Sequence, residues 1–430
     1  MYGAAAYGAR HYGWSYWPKA VWQWWLLYGR ILGVLAYGDS YPVSIASLEE
    51  KINWKGQWDY FQIDLPKEES EAFWDDFKLK KSISDFWNLC VRFSYQWDEN
   101  GRIEWRGPMY AGYQVPAVWY RYGRQDVAAR MTAFLKRAQD VYAKTYEVDK
   151  GPFMPVWVPF SYETVADYGG ALQTWGWAGP DTNTNRAGFQ YRALAQLAHY
   201  YFLSGDSLAK DVLKNWMTWL STRILTDGAG WKVPSDFVKD TGTYEYNYFS
   251  PEFHALIAQA MIFKHWRDGD SIAQEWYRKL LDDLIDNRKN SLGAYPQSSG
   301  DIYIWHQGII GETFGMLLNG RTGGQTLFPL PAEQKDKDAF LQLYSFMTTF
   351  KGKIRPCALG ESWIPLHHFE DEAQQLSEKI WVGNSCGTSE SIGYNLMFAL
   401  DVGLYTGDKI WFKKMAAWLN SKLGLFKKDY

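Results

Sequence analysis

A glycine-centred turn between two helical segments recurs along this chain. It reads YRYGRQD, FLSGDS, WRDGDS, LLNGRTGG and LYTGDK, centred on Gly123, Gly205, Gly269, Gly320 and Gly407. Before each turn stands an apolar stretch, such as FQYRALAQLAHYYFL or PEFHALIAQAMIFKHW. After most stands an amphipathic one, such as SLAKDVLKNWMTWL or SIAQEWYRKLLDDL, apolar at i, i+3 and i+4. Glycine supplies the left-handed cap that ends one helix, and Ser or Asp opens the next. A helical hairpin cannot bury its apolar face alone, so repeated hairpins must stack on one another. An apolar inner helix with an amphipathic outer one closes as an (α/α)-barrel. An open solenoid is the alternative, disfavoured by the long connections between hairpins. The expected class is mainly α, an (α/α)6-barrel-like helical toroid over residues 108–430. The apolar run Val21 to Gly38 is a candidate for a sixth hairpin.

Two other regions precede the toroid. Residues 1–40 hold a Tyr/Gly-rich arm and that apolar run. Tyr-Gly recurs at Tyr2, Tyr7 and Tyr12, and a Gly/Ala stretch cannot build a core, so the arm is expected to gain order only against a neighbour. Residues 41–107 read as a small β-rich module. CVRFSYQW sets Val91, Phe93, Tyr95 and Trp97 on one face, DENG turns the chain, and RIEW continues the phase with Ile103 and Trp105, which predicts a hairpin.

Composition removes several function classes. The net charge of −3 gives no field that favours nucleic acid or an anionic membrane. The run at Val21 to Gly38 is interrupted by Gln23 and Arg30 and is too short and too polar to span a bilayer. Cys90, Cys357 and Cys386 are far apart and odd in number, neither a disulfide framework nor a CxxC metal site. HHFED, from His367 to Asp371, has no second donor cluster, so no metal and no cofactor are expected. No signal peptide is visible at the start of the sequence. With 25 Trp and 30 Tyr there are too many large rings for one core, so some must lie on a surface, where they suit sugars or other proteins.

In a toroid every inner helix starts at the same end, so the connections leading into those helices share one face. They carry Tyr110 and Tyr113; Trp175, Trp177, Asp181, Asn183 and Arg186; Tyr244, Glu245, Tyr246 and Tyr248; Asp301, Tyr303, Trp305 and His306; and Ser389, Glu390 and Tyr394. Rings offer flat platforms, and carboxylates and amides bond hydroxyls, which is the chemistry of a saccharide cleft. Glycoside hydrolysis needs two carboxyl groups, one protonated as acid and one ionised. Each residue also has a plainer role. Asp181 and Asp301 suit helix caps. Glu390 at a helix start would favour the helix dipole by about 0.3–1 kcal/mol. His254 and His306 suit satisfied core or rim positions.

The segment GTSESIGYNLMFALDVGLYTGD resembles a stretch of glycoside hydrolase family 48 that reads Thr-Ser-Glu-Ala, an aromatic-containing helix, then Leu-Thr-Gly-Asp. It is also similar to the Ser-Glu-x-x-Gly-Tyr-Gly motif of family 8. The matching residues are Thr388, Ser389, Glu390, Gly393, Tyr394, Thr406, Gly407 and Asp408. The resemblance implies an (α/α)6 barrel, an inverting enzyme acting on β-glucan-type chains, and Glu390 as its general acid. In those families the motif lies near the chain start, whereas here it lies near the end, as in a circularly shifted barrel. The His that often precedes the family-48 motif is replaced by GNSCG. The resemblance assigns no base. Asp181 is chosen because it shares the richest connection with Trp175 and Trp177, and Asp301 is second.

These readings lead to a glycoside hydrolase that cleaves a β-glucan-like, capsular or exopolysaccharide chain. Its catalytic residues would be Glu390, Asp181 and Asp301. Its substrate-binding residues would be Trp175, Trp177, Asn183, Arg186, Tyr244, Glu245, Tyr246, Tyr303, Trp305 and Tyr394. The arm resembles those of phage head and tail proteins, which implies virion or extracellular placement and structural partners bound through residues 1–16. Two rivals stay open: a non-catalytic phage structural or glycan-binding protein, and a polysaccharide lyase with a Tyr or His base and Arg186 on a uronate.

Overall fold

The computed structural model describes residues 95–97, 103–105, 109–114, 116–121, 125–158, 174–176, 184–226, 230–322, 325–326, 330–349 and 388–411. The arm, the Val21 to Gly38 run and most of the expected β-rich module lie outside them, as do Trp177, Asp181, Asn183 and the HHFED stretch.

The predicted hairpin is present. Strands β1 (Tyr95–Trp97) and β2 (Ile103–Trp105) pair antiparallel with Tyr95 opposite Trp105 and Trp97 opposite Ile103.

Nine α-helices follow among the described residues, and they alternate between two layers. The inner layer is α1 (Pro116–Arg121), α3 (Gly188–Ser204), α5 (Pro251–Asp268), α7 (Ile304–Asn319) and α9 (Thr388–Thr406). The outer layer is α2 (Gln125–Tyr146), α4 (Ser207–Ser221), α6 (Ser271–Asp283) and α8 (Gln334–Thr349). Each inner helix packs on the next, α1 on α3, α3 on α5, α5 on α7 and α7 on α9. The fold is mainly helical and toroid-like. The two layers differ as their sequences require. In α5 and α7 nearly every residue is buried, whereas α4 buries a stripe of Ala209, Val212, Leu213, Trp216, Trp219 and Leu220.

Gly123 lies outside the described residues, and the other four turns behave as the glycine pattern predicts. Gly205, Gly269, Gly320 and Gly407 have φ of 70°, 65°, 59° and 79°, the left-handed region that costs glycine least. Asp206 then caps α4 by accepting from the Ala209 amide at 2.8 Å, and Asp270 caps α6 by accepting from Ile272 and Ala273 at 2.9 and 3.1 Å. Each such cap is worth about 1 kcal/mol. After Gly320 the chain first makes a small hairpin, β11 (Arg321–Thr322) with β12 (Gln325–Thr326), before α8 begins.

One close approach was not legible in the sequence pattern. Gly308, Gly311 and Gly315 line the side of α7 that meets α9. A Cβ on Gly311 would lie 2.3 Å from the Phe398 ring, and one on Gly308 would lie 2.9 Å from the Tyr394 Cβ. The absence of side chains there lets α9 sit close to α7 and so sets where its first turn, with Glu390, stands.

The connections that lead into the inner helices form two three-stranded antiparallel sheets and one hairpin. The first sheet orders β3 (Met109–Tyr110), β4 (Val156–Val158) and β5 (Thr174–Gly176). The second orders β10 (Tyr244–Glu245), β9 (Asp236–Val238) and β6 (Thr184–Arg186). The hairpin is β7 (Leu225–Thr226) with β8 (Trp231–Lys232).

A shared device holds these connections on the helices. Gln190, on the first turn of α3, accepts from the Phe153 amide and donates to its carbonyl, both at 2.8 Å. Gln307, on the first turn of α7, does the same to Tyr295 at 2.9 and 2.8 Å. On α5 the matching position is His254, whose Nε2 lies 3.0 Å from the Trp231 carbonyl.

Candidate functional site

The inner-helix N-termini and the sheets beside them form one face, where the sequence expects the site. The second sheet supplies its richest polar group. Asp236 sits on the central strand with Arg186 directly opposite on one side and Glu245 on the other. Ser235 Oγ donates to Asp236 Oδ2 at 3.0 Å. The Asn247 amide donates to Glu245 Oε2 at 2.6 Å and reaches Asp236 Oδ2 at 3.4 Å. Asp236 is buried, Glu245 half-buried and Asn247 exposed, so the group runs from the sheet out to solvent. Two contacts of 2.6 and 3.4 Å to one nitrogen cannot span the separation of about 6.5–9.5 Å that an inverting acid–base pair needs. Asp236 and Glu245 are therefore one acidic unit, and a second, distant carboxyl is needed for inversion.

Deeper on the same face lies a buried chain of polar groups. Ser250 precedes α5 and Glu252 lies in its first turn. Glu252 Oε1 is 3.2 Å from His306 Nε2 on the first turn of α7, and both side chains are fully buried. Ser250 Oγ bonds the other carboxylate oxygen of Glu252. Gln297 Nε2 donates to Ser250 Oγ at 2.8 Å, and the Gln297 backbone N–H donates to the Asp301 backbone carbonyl at 2.9 Å. His306 touches two rings, Trp305 at 4.2 Å and Tyr303 at 5.0 Å between centroids. The Arg192 guanidinium, from α3, lies 5.5 Å from the Trp305 ring centroid. Helices α3 and α7 are separated by α5, so Arg192 and Trp305 meet across the interior of the helical arc.

The residues picked from sequence are distributed as follows. Glu390 stands in the first turn of α9, at the end where α5 and α7 begin. Asp301 is half-buried. It accepts from Ser299 Oγ at 3.1 Å, and the cap position of α7 belongs to Tyr303, so Asp301 is not a helix cap. Trp175 is half-buried on β5 and stacks on Phe134 of α2 at 5.2 Å. Arg186 is on β6. Tyr244 packs edge-on against Trp219 and Tyr246 at 5.3 and 5.8 Å, and Tyr246 donates its hydroxyl to the Arg223 carbonyl. Burial, with the neighbouring Tyr244, pushes the Tyr246 hydroxyl up to about 12. Tyr303, Trp305 and Tyr394 are buried, at 5%, 8% and 2% exposure.

Both histidines meet their partners through Nε2, His306 at Glu252 and His254 at two oxygens. His254 Nε2 faces two acceptors, the Trp231 carbonyl and Asp283 Oδ2 at 3.1 Å, so that nitrogen carries the hydrogen. Asp236, Asn247 and Glu252 were not singled out from sequence. Asp236 and Asn247 sit in short strands and a turn whose pairing is non-local. Glu252 follows Ser-Pro, which reads as a helix start with a dipole-friendly acid. Only the packed structure shows that it is buried against His306. Among the described residues, no group of three His, Cys, Asp or Glu could hold a metal ion, and no helix is long and apolar enough to cross a membrane.

Comparison with known proteins places this face in a family context. Residues 163–307 match glycosyl hydrolase family 48. They include β5, β6, β9, β10 and the first turns of α3, α5 and α7, but not the Glu390 segment. Exoglucanase B of Cellulomonas fimi is 31% identical over 133 residues, which are 26% of this chain and 12% of that protein. Exoglucanase-2 of Thermoclostridium stercorarium is 25% identical over 146 residues, 29% of this chain and 15% of that protein. The chain thus spans only a small part of the curated relatives it matches.

Among solved structures, the chain is similar to an α-1,6-mannanase of Salegentibacter sp. HEL1_6. Identity is 10%, coverage 88% of this chain and 99% of that one, and the TM-score 0.43. It is also similar to a cellobiose 2-epimerase of Bacillus thermoamylovorans, with 11% identity, 78% and 88% coverage and a TM-score of 0.42. At these TM-scores neither likeness bears on the site.

Proposed function

We propose that this chain hydrolyses a β-glucan-like polysaccharide with inversion at the anomeric carbon. One observation carries the reading: the residues that match family 48 are those that build the polar face, with Asp236, Glu245, Asn247, Glu252 and His306. Sugars present many hydroxyls, and this face offers carboxylates, amides and rings to meet them. In the proposed mechanism Glu390 is the general acid. It stands on the first turn of α9, on a different element from the acidic unit of the second sheet. A helix N-terminus favours the ionised carboxylate, so proximity to other carboxylates and to bound sugar must keep Glu390 protonated.

The base belongs to the connections into α3, α5 and α7, which carry Asp181, Asp236 and Asp301 respectively. Asp181 takes the role first, for its place beside Trp175 and Trp177, and Asp→Asn at each position separates the three. We further propose that the protein acts outside the cell or on a virion, with the Tyr/Gly arm as its attachment.

The test is reducing-end release from a panel of β-glucans and bacterial exopolysaccharides by wild type and by Glu390→Gln. The variant keeps the shape and cannot deliver a proton, so turnover should fall by about 10²–10⁴ with glycan binding kept. Undiminished turnover removes Glu390 from the mechanism. Product absorbing in the ultraviolet enone band would make the protein a lyase. No product from any chain would favour a structural or glycan-binding role.

A further inference from the structure

We infer that Glu252 and His306 are positioning residues for a sugar subsite whose platform is Trp305, inside the helical arc. The inference rests on the glycan-cleaving reading of this face and adds to it which ring meets the sugar and what holds that ring. Glu252 and His306 are fully buried and lie 3.2 Å apart. Such a pair is weak evidence for stability, because burial desolvates both partners and offsets much of their attraction. It does fix geometry, and here the geometry leads to one ring. His306 meets Trp305 at 4.2 Å with the planes 63° apart, edge towards face. Arg192 reaches the same ring from α3. Trp305 thus meets His306, its neighbour on α7, and Arg192 of α3, and it retains 8% exposure whereas Glu252 and His306 retain none.

The chain of hydrogen bonds beyond Glu252 explains why the support is polar. Ser250 and Gln297 carry it to the turn that holds Asp301. These contacts run from the backbone of the 297–301 turn through Gln297, Ser250 and Glu252 to His306, which meets the Trp305 ring. An apolar filler between α5 and α7 would pack as well but would leave the 297–301 turn and the Trp305 ring independent. The ligand class that fits is a neutral pyranose residue, its apolar face on the indole and its hydroxyls towards Arg192. A stacking contact of this kind is worth roughly two- to tenfold in affinity.

The probe is cellopentaose, followed by the tryptophan fluorescence of the full chain and, separately, by its cleavage. Wild type should show a saturable fluorescence change. Trp305→Phe should lose most of that signal and bind roughly two- to tenfold more weakly. Glu252→Gln and the double variant Glu252→Gln/His306→Gln should raise KM by a similar factor and leave kcat nearly unchanged, because uniform binding rather than transition-state binding is lost. The double variant keeps the pair neutral, so a folded protein is obtained even if Glu252→Gln alone strands a buried imidazolium. Circular dichroism confirms the fold in each case. If KM and affinity stay at wild-type values while only the melting temperature moves, the pair is structural and the inference is overturned. Binding without cleavage in wild type removes the hydrolase reading and leaves the platform standing. Cleavage with unaltered binding in Trp305→Phe removes the platform alone, and no binding by wild type removes both.

Discussion

The contact between α7 and α9 can be tested by the sign of a single substitution, Gly311→Ala. Two effects oppose each other. In a helix interior alanine is favoured over glycine by about 0.8–1 kcal/mol. Against this, a Cβ on Gly311 would meet Cγ, Cδ1 and Cδ2 of Phe398 at 2.3, 2.4 and 2.6 Å. Phe398 is fully buried, so its ring cannot swing into solvent, and Gly308 one turn away already faces the Asn395 backbone nitrogen. Overpacking of such a site costs about 1–3 kcal/mol, and with ring carbons this close the upper part of that range applies. The expected net effect is a loss of about 1–2 kcal/mol. The assay is urea unfolding followed by circular dichroism, where the midpoint should fall with the slope unchanged.

Gly403→Ala on α9 is the matched control. Its nearest neighbour would be the Lys409 Cγ at 3.2 Å, on a flexible chain, so it should gain about 0.5–1 kcal/mol. Adding Phe398→Leu to Gly311→Ala should recover part of the loss, with a coupling of about 0.5–3 kcal/mol. If Gly311→Ala stabilises the protein as Gly403→Ala does, α9 does not sit against this side of α7, and the placement of Glu390 fails with it.

Two further predictions follow from other parts of the molecule. Burial would raise the Asp283 carboxyl, but the hydrogen bond and charge of His254, with Asn287 and Arg288, outweigh it and hold the group below its usual value. Its stabilisation is therefore present above the unfolded pKa of about 3.9 and is lost as pH falls through the lower folded value. Asp283→Asn should cost about 3–5 kcal/mol at neutral pH, and the gap from wild type should narrow below about pH 4. A gap that stays constant across that range contradicts the assignment. For the arm, residues 1–16 should be cut readily by protease in the isolated chain and protected when the chain is part of an assembly. Equal cleavage in both states rules out attachment through the arm.

The helical part of this architecture was written locally, which is why the sequence disclosed it. Glycine at Gly205, Gly269, Gly320 and Gly407 ends a helix by backbone freedom alone, and Asp206 and Asp270 start the next by a bond spanning two or three residues. The hairpin of Tyr95 and Trp105 was legible for the same reason, since period-two alternation and a turn are near neighbours. What stayed hidden depends on distant partners. Gly308, Gly311 and Gly315 look like weak helix positions until α9 is laid against them. Glu252 looks like an ordinary first-turn acid until His306, on the next inner helix, comes within 3.2 Å. Tyr303, Trp305 and Tyr394 follow polar connections, and their burial to 5%, 8% and 2% exposure depends on helices that the local sequence does not contain. The family resemblance rests on Thr388 to Asp408, whereas the family-48 match spans residues 163–307 and does not include that segment.

Hydrolysis with inversion, as proposed, requires two separated carboxyl groups. The most direct measurement is the anomeric configuration of the reducing end first formed from a cello-oligosaccharide, read by proton NMR before mutarotation. Inversion yields the α-anomer from a β-linked chain, because water attacks the face opposite the departing sugar. The β-anomer would mean retention through a covalent intermediate, with carboxyl groups only about 5–5.5 Å apart, and would contradict it.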